Sequence, residues 1–147
     1  MVGVDVLSDI VIDRPCDEVS GYASDPTNAP AWYTNVETVE WLTEPPVEVG
    51  SRMEFVAHVL GRKLSYTYEV VELVPGERLV MRTSEGAFPM ETTYTWQALD
   101  GDRTRMTMRN SGEPSSFGRM ATPLMTAAMQ RASGKDLAAL KKVLEDL

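Results

Sequence analysis

The hydrophobic pattern of this chain changes once, from a period of two residues to a helical period. Between Val36 and Asn110, apolar residues alternate with polar ones in short segments, which predicts consecutive β-strands. From Ser115 onward, apolar residues recur at helical spacing, which predicts one long amphipathic helix. A long helix must bury its apolar stripe, and the sheet is the only predicted element large enough to cover it.

Turn residues divide the period-two region into short segments. Gly61-Arg62, Pro75-Gly76 and Asp100-Gly101 have the composition of tight turns. Connections this short favour antiparallel neighbours, so we expect a meander. A further β-branched segment, from Val4 to Ile12, adds a seventh strand. The other segments run over residues 36–42, 52–59, 63–70, 79–83, 90–97 and 103–110.

Three helices are predicted beside these strands. Pro15, followed within three residues by two acidic side chains, suits the start of a short helix, and residues 29–33 predict a second one. The C-terminal helix, of about thirty residues or roughly 45 Å, is interrupted at Pro123. It either kinks there or restarts with Thr122 as its cap. Its inward stripe comprises Met125, Met129, Ala132, Ser133, Leu140, Val143, Leu144 and Leu147, with Leu137 at the edge.

Composition narrows the class of protein. A length of 147 residues predicts a single domain over residues 1–147. A net charge of −8 works against nucleic acid and anionic membranes as partners. Neither a signal peptide nor a membrane-spanning segment is predicted, so the expected location is cytoplasmic without membrane insertion. One cysteine and one histidine predict no disulfide, no metal site and no cofactor.

The residues predicted on the inward sheet face are large, and they allow two arrangements. Sheet and helix either enclose a filled apolar core or leave room for a ligand. Two features favour a ligand. Hydroxyl groups stand on a face that would otherwise be dry, and the side chains of the helix stripe are small at Ala132 and Ser133, which leaves room. A mostly apolar pocket with a few polar groups is the usual small-molecule site. The inward sheet residues are Phe55, Tyr66, Tyr68, Met81, Met90, Thr92, Tyr94, Trp96, Met106 and Met108.

Five segments spread along the chain resemble those of one family. They are residues 12–19 (strand into first helix), 25–32 (second short helix), 68–79 (central hairpin), 101–108 (strand after a glycine turn) and 136–141 (end of the long helix). In order and spacing they resemble the START-like, or helix-grip, superfamily, and within it the bacterial polyketide cyclase/dehydrase and lipid-transport family. The resemblance implies an α+β fold: a curved seven-stranded antiparallel sheet wrapped around a long C-terminal helix, with two short helices after the first strand.

The resemblance leaves three hypotheses for function. The first is binding of a small hydrophobic molecule, aromatic, polyketide-like or lipid-like, in an internal cavity. The second is a cyclase or dehydratase acting in the same cavity, and the third is a protein-interaction module. Under each hypothesis the expected oligomeric state is a monomer or a homodimer. No catalytic motif of the family is matched residue by residue, so no catalytic residue is assigned and binding is placed first. The predicted ligand-binding residues are Trp32, Phe55, Tyr66, Tyr68, Met81, Met90, Thr92, Tyr94, Trp96, Met108, Leu124, Met125, Met129 and Ser133.

Several other residues with reactive or charged side chains are predicted to lie outside the site. His58 alternates with inward residues of its strand, so it is expected to point away from the cavity rather than to act as an acid or base. Cys16 begins a short helix, where a thiolate is favoured, but no histidine is near it in sequence. Arg82 and Arg131 could hold an anion, yet they are expected on an outer strand face and on the polar side of the helix.

Three aspartates of the first strand also share a face. Asp5, Asp9 and Asp13 are spaced four residues apart, which at strand rise separates neighbours by roughly 13 Å. That distance is too long for a shared metal ion, and we expect a solvated face instead.

Overall fold

Seven strands form one antiparallel sheet in the computed structural model, which describes residues 4–59, 61–85, 90–112 and 122–146. The strand order is β1-β7-β6-β5-β4-β3-β2, so the six later strands form a meander and the first strand pairs with the last. The predicted meander is therefore confirmed. The strands are β1 Val4–Ile12, β2 Val36–Trp41, β3 Arg52–Val59, β4 Arg62–Val74, β5 Arg78–Glu85, β6 Met90–Asp100 and β7 Arg103–Gly112.

The described residues include three α-helices beside the sheet: α1 Cys16–Ser24, α2 Ala29–Trp32 and α3 Thr122–Glu145. A short 3-10 turn, Pro26–Asn28, joins α1 to α2. The two short helices after β1 and the long C-terminal helix agree with the predicted helix-grip arrangement. Among the described helices, none combines the length and hydrophobicity that crossing a bilayer requires.

The C-terminal helix is described over most of its predicted length. As described, α3 begins at Thr122 and continues through Gly134 for 24 residues. At 1.5 Å per residue it spans about 36 Å. Its predicted beginning, from Ser115 to Ala121, lies outside the described residues, as does Leu147. Whether the helix kinks at Pro123 or restarts with Thr122 as its cap stays a prediction, because the residues before Thr122 lie outside the described part of the chain.

Fewer described residues of α3 are buried than the predicted inward stripe contains; the buried set is called the seam. Met129, Ala132 and Val143 are only partly buried, and Leu137, placed at the stripe's edge, is fully buried. The buried residues are spaced three or four positions apart, so they lie on the one helix face that is turned towards the sheet. Residues beside that face are partly exposed. The buried members are Ser133, Asp136, Leu137, Leu140 and Leu144.

Alternation along β6 and β7 determines which sheet face is buried. Thr92, Tyr94 and Trp96 of β6 are buried, and Met106 and Met108 of β7 lie beside them on the same face. Side chains of a strand point alternately to opposite faces, so one face of the sheet turns towards α3 and the short helices. The hydrophobic core lies between these layers, and the candidate site is built on the same face.

Candidate functional site

Aromatic side chains form a continuous cluster on the buried face of the sheet. Trp32 of α2 lies with its ring centroid 5.7 Å from that of Tyr94 on β6. Trp32 also lies 4.3 Å from the ring of Tyr33, the residue that follows α2. The cluster thus connects α2 with strands from both halves of the sheet. Its members, called here the aromatic cluster, are Trp32, Tyr33, Phe55, Tyr66, Tyr68, Tyr94 and Trp96.

The half of the cluster on β3 and β4 combines one stacked contact with two edge-to-face contacts. The Phe55 ring is stacked on Tyr66, with centroids 5.7 Å apart, and meets Tyr68 edge-on at 5.3 Å. Tyr66 and Tyr68, two residues apart on β4, are themselves edge-to-face at 5.4 Å. Such geometries are favoured between aromatic rings, so these side chains hold one another in place and offer a preformed aromatic surface.

A chain of four hydrogen-bonded polar side chains crosses this apolar region. The hydroxyl groups of Tyr68 and Thr92 are 2.7 Å apart, and Thr92 donates to Oδ1 of Asn110 over 2.6 Å. Asn110 then donates through Nδ2 to the hydroxyl of Ser133 on α3, over 3.2 Å. All four residues are buried. This polar chain, Tyr68–Thr92–Asn110–Ser133, links β4, β6 and β7 to the helix.

Two further tyrosine hydroxyls meet within the cluster. Tyr33 and Tyr94 are hydrogen bonded to each other through their hydroxyl groups, and the Tyr33 hydroxyl also contacts the sulfur of Met108 at 3.6 Å. Burial raises the pKa of both tyrosines above the ordinary value. It acts in the same direction on Tyr66 and Tyr68. These phenols therefore stay protonated at neutral pH and can donate hydrogen bonds.

One carboxylate joins the polar groups of the site. Asp136 lies on α3, one turn after Ser133, and its Oδ1 accepts hydrogen bonds from the backbone N–H and the hydroxyl of Thr34, at 2.8 and 3.0 Å. Thr34 follows Tyr33 in the segment between α2 and β2. Burial raises the pKa of Asp136, and the two bonds from Thr34 oppose that effect. The carboxylate thus ties α3 to the segment that carries Tyr33.

Two buried indole groups lack an acceptor. The Nε1 atoms of Trp32 and Trp96 are buried, and neither has a hydrogen-bond partner among the described residues. The third tryptophan differs, because Nε1 of the partly exposed Trp41 donates to the hydroxyl of Thr27 over 3.0 Å. Buried N–H groups are nearly always paired in native proteins, so these two are exceptional.

The structure brings most of the predicted ligand-binding residues to one region. Six of them belong to the aromatic cluster, and Thr92 and Ser133 belong to the polar chain. Met81 and Met108 are buried, whereas Tyr66, Met90 and Met129 are partly buried. Of Leu124 and Met125 only the backbone, in α3, is described, so their predicted contacts lie outside the described part of the structure. A ligand-binding role for this set stays a prediction.

The residues predicted to point outward do so. His58 is exposed and lies 2.7 Å from Oε2 of Glu37 on the neighbouring strand. Arg82 pairs with Glu91 across β5 and β6, and Arg131 is exposed on α3.

The remaining candidates are also outside the aromatic cluster. Cys16 is partly buried, its Sγ lies 3.5 Å from the carbonyl oxygen of Gly76, and burial raises its pKa. A raised pKa disfavours the thiolate that a helix start was expected to favour. On β1, the exposed Asp5 pairs with Arg109 and Asp9 with Arg105.

Four residues of the site were not among the predicted ligand-binding residues. Asn110 stands two residues after Met108 on the same strand face, and Asp136 stands three residues after Ser133 on the helix seam. Both positions follow the predicted periodicity, so the signal was a polar residue at an inward position. Tyr33 and Thr34 lie at the end of a predicted short helix, where no periodicity indicates direction.

Comparisons with known proteins agree with this architecture. A family model described as polyketide cyclase / dehydrase and lipid transport matches residues 4–145. The structure is similar to that of TTHA0849 from Thermus thermophilus, with a TM-score of 0.83, 23% identity and coverage of 97% of both chains. The sequence has no significant match among curated proteins.

Two further solved structures carry descriptive names. Zhui aromatase/cyclase from a Streptomyces species is similar with a TM-score of 0.82 and 19% identity, over 98% of this chain and 94% of that one. A START superfamily protein from Mycobacterium smegmatis is similar with a TM-score of 0.73 and 16% identity, over 97% of this chain and 94% of that one. At these identities the likeness shows a shared fold.

Proposed function

Because this chain belongs to the polyketide cyclase/dehydrase and lipid-transport family, with a START-like helix-grip fold, we propose that it binds a small, mostly apolar molecule that carries oxygen atoms. The molecule lies between the buried face of the sheet and α3, against the aromatic cluster. Aromatic walls contribute most of the contact, and a few polar groups orient the ligand.

The observation that carries this proposal is the pair of indole N–H groups without acceptors. A buried donor left unpaired costs about 1–3 kcal/mol, and Trp32 and Trp96 are both in this condition among the described residues. A carbonyl, ether or hydroxyl oxygen of a ligand would pair with such a donor. The proposal therefore specifies an acceptor oxygen on the ligand, which a plain hydrocarbon does not have.

The polar chain and the tyrosine pair support the same class of ligand. Their hydroxyl groups stay protonated, and they are held in fixed positions by one another. A neutral oxygen-bearing molecule can exchange hydrogen bonds with such groups without bringing a charge into the core. The partly buried methionines Met90 and Met129 can adapt to an irregular ligand outline.

The experiment compares a polycyclic aromatic ketone with its parent hydrocarbon. Binding is measured by thermal shift and by quenching of tryptophan fluorescence in the wild type and in Trp32→Phe and Trp96→Phe. Each substitution removes one N–H group and keeps an aromatic ring. We expect at least one of them to weaken ketone binding by about five- to tenfold, the value of one hydrogen bond, and to change hydrocarbon binding less.

Trp41→Phe is the matched control, because the Trp41 indole is already bonded to Thr27. It should leave both affinities unchanged. Equal losses for ketone and hydrocarbon would mean that the indoles act only by packing. If neither those ligands nor a panel of neutral lipids binds the wild type, the binding function itself is wrong. Native mass spectrometry of freshly purified protein would identify a retained ligand directly.

A cyclase- or dehydratase-type reaction is the second candidate, and one observation favours it. Asp136, a buried carboxylate with a raised pKa, lies within electrostatic reach of three protonated tyrosines. Titratable groups with perturbed pKa values in an apolar site are common in catalysis. Incubation of the protein with a reactive polyketone, followed by mass spectrometry of the released small molecules, separates a carrier from an enzyme.

A further inference from the structure

Asp136 is the one acidic or basic side chain that is buried in the described part of the chain. It is 5% exposed, and it shares the inner seam of α3 with Ser133, the end of the polar chain. Every arginine and lysine whose side chain is described is partly or fully exposed. Among the described side chains, therefore, no buried cation lies beside the carboxylate of Asp136.

The negative charge of Asp136 acts electrostatically on tyrosines of the aromatic cluster. Burial is the main cause of the raised pKa values of Tyr33, Tyr66 and Tyr94, and the negative charge of Asp136 adds to it at each of the three. Tyr33 follows α2, whereas Tyr66 lies on β4 and Tyr94 on β6. The hydrogen bonds from Thr34 hold the carboxylate on the inner side of α3 and favour its charged form.

We propose that this site accepts uncharged ligands and rejects anions, and that Asp136 is the residue that sets this selectivity. The inference rests on the proposed binding function and adds the charge class of the ligand to it. An anionic ligand would bury a second negative charge beside Asp136 in a medium of low dielectric constant, and none of the described side chains supplies a buried cation to balance it. Ketones, phenols, alcohols and esters fit the site, whereas fatty acids and other carboxylates do not.

Two fluorescent probes with one skeleton test this directly. N-phenylnaphthylamine is neutral, and anilinonaphthalene sulfonate is the same skeleton with an anionic sulfonate. We expect the wild type to bind the neutral probe at least about tenfold more tightly than the anionic one, a ratio that corresponds to one pKa unit of differential interaction. Equal affinity, or a preference for the anion, would overturn the inference without any variant.

The variants assign the selectivity to Asp136. Asp136→Asn keeps an oxygen that accepts from Thr34 and removes the charge, so the preference for the neutral probe should narrow by about fivefold or more. Asp146→Asn removes one negative charge from the exposed residue that follows α3, so the two variants have the same net charge. That control should keep the wild-type ratio, which separates a local effect from the overall charge of −8.

Each outcome has a distinct meaning. A ratio that narrows equally in both variants would show that the surface charge of the protein, not Asp136, excludes anions, and it would overturn the inference. Failure of both probes to bind the wild type, together with the ketone and the neutral lipids, would contradict the binding function and this inference with it. Asp136→Ser, whose hydroxyl can also accept from Thr34, serves as a second uncharged variant if Asp136→Asn does not fold.

Discussion

At the scale of single residues, the site differs from a simple apolar core through a few buried polar side chains. Asn110 and Asp136 lie at positions that the strand and helix periods place inward. A period identifies the face, but it does not indicate that a polar residue there is buried and paired. The partners that make burial tolerable, Thr92 for Asn110 and Thr34 for Asp136, are distant in sequence. These pairings therefore could not be read from local pattern.

The titration of Asp136 gives a prediction for stability against pH. Its folded-state pKa is raised above the ordinary value of 3.8, mainly by burial. Between these two values the native state holds more protons than the unfolded state, so the free energy of unfolding falls as pH rises through that window. Asp136→Asn lacks this titration. Its stability relative to the wild type should therefore increase as pH rises from below 3.8 towards neutrality.

Urea unfolding at a series of pH values measures this difference. Asp146→Asn provides the baseline, because Asp146 is exposed and its substitution leaves the buried carboxylate of Asp136 in place. A stability of Asp136→Asn relative to the wild type that falls with rising pH would mean that the bonds from Thr34 outweigh burial. The sign of the slope thus decides which of the two opposing effects dominates at this carboxylate.

At the scale of secondary-structure elements, the period-two segments predicted every strand of the sheet but not its full extent. β4 continues to Val74, four residues past its predicted end, because it pairs there with the start of β5. Register shifts between Thr67 and Tyr68 and between Val70 and Glu72 break the strict alternation. Strand ends and bulges depend on the cross-strand partner, which local periodicity does not contain.

The C-terminal end of α3 is attached to the region after β1 by one arginine. Arg14 donates through Nε to the carbonyl oxygen of Leu144 over 2.7 Å and through Nη2 to that of Glu145 over 3.2 Å. The last carbonyl groups of a helix have no partner inside the helix, so these bonds act as a cap. The attachment fixes the helix at the end away from Ser133 and Asp136.

Arg14→Met should loosen this end of the helix. We expect the free energy of unfolding to fall by about 1–3 kcal/mol, since hydrogen bonds from a charged donor are lost. Amide hydrogen exchange should become faster in the last turn of α3 and change little around Ser133. Arg131→Met is the control, because it removes an exposed arginine that lies on α3 itself. Uniformly faster exchange along α3 would contradict a local capping role.

At the scale of the whole molecule, the change of period predicted a curved sheet against one long helix, and the strand order agrees. Periodicity says which residues face inward, but not how closely they pack. Packing depends on side chains such as Tyr68, Asn110 and Ser133, which come from three elements and meet only in the folded chain. Whether the space between sheet and helix is filled or takes a ligand is therefore tested by substitution rather than by periodicity.

Ser133→Trp provides that test, because Ser133 is 3% exposed and faces the sheet. If the space takes a ligand, the indole should occupy it: probe binding is lost, and the free energy of unfolding falls by about 1–3 kcal/mol, because the buried amide of Asn110 is left without its acceptor. In a close-packed core, overpacking would add about 1–3 kcal/mol to that loss. Ala138→Trp, on the exposed face of α3, should change neither quantity. A large loss of stability, or probe binding that survives, would contradict a ligand site beside Ser133.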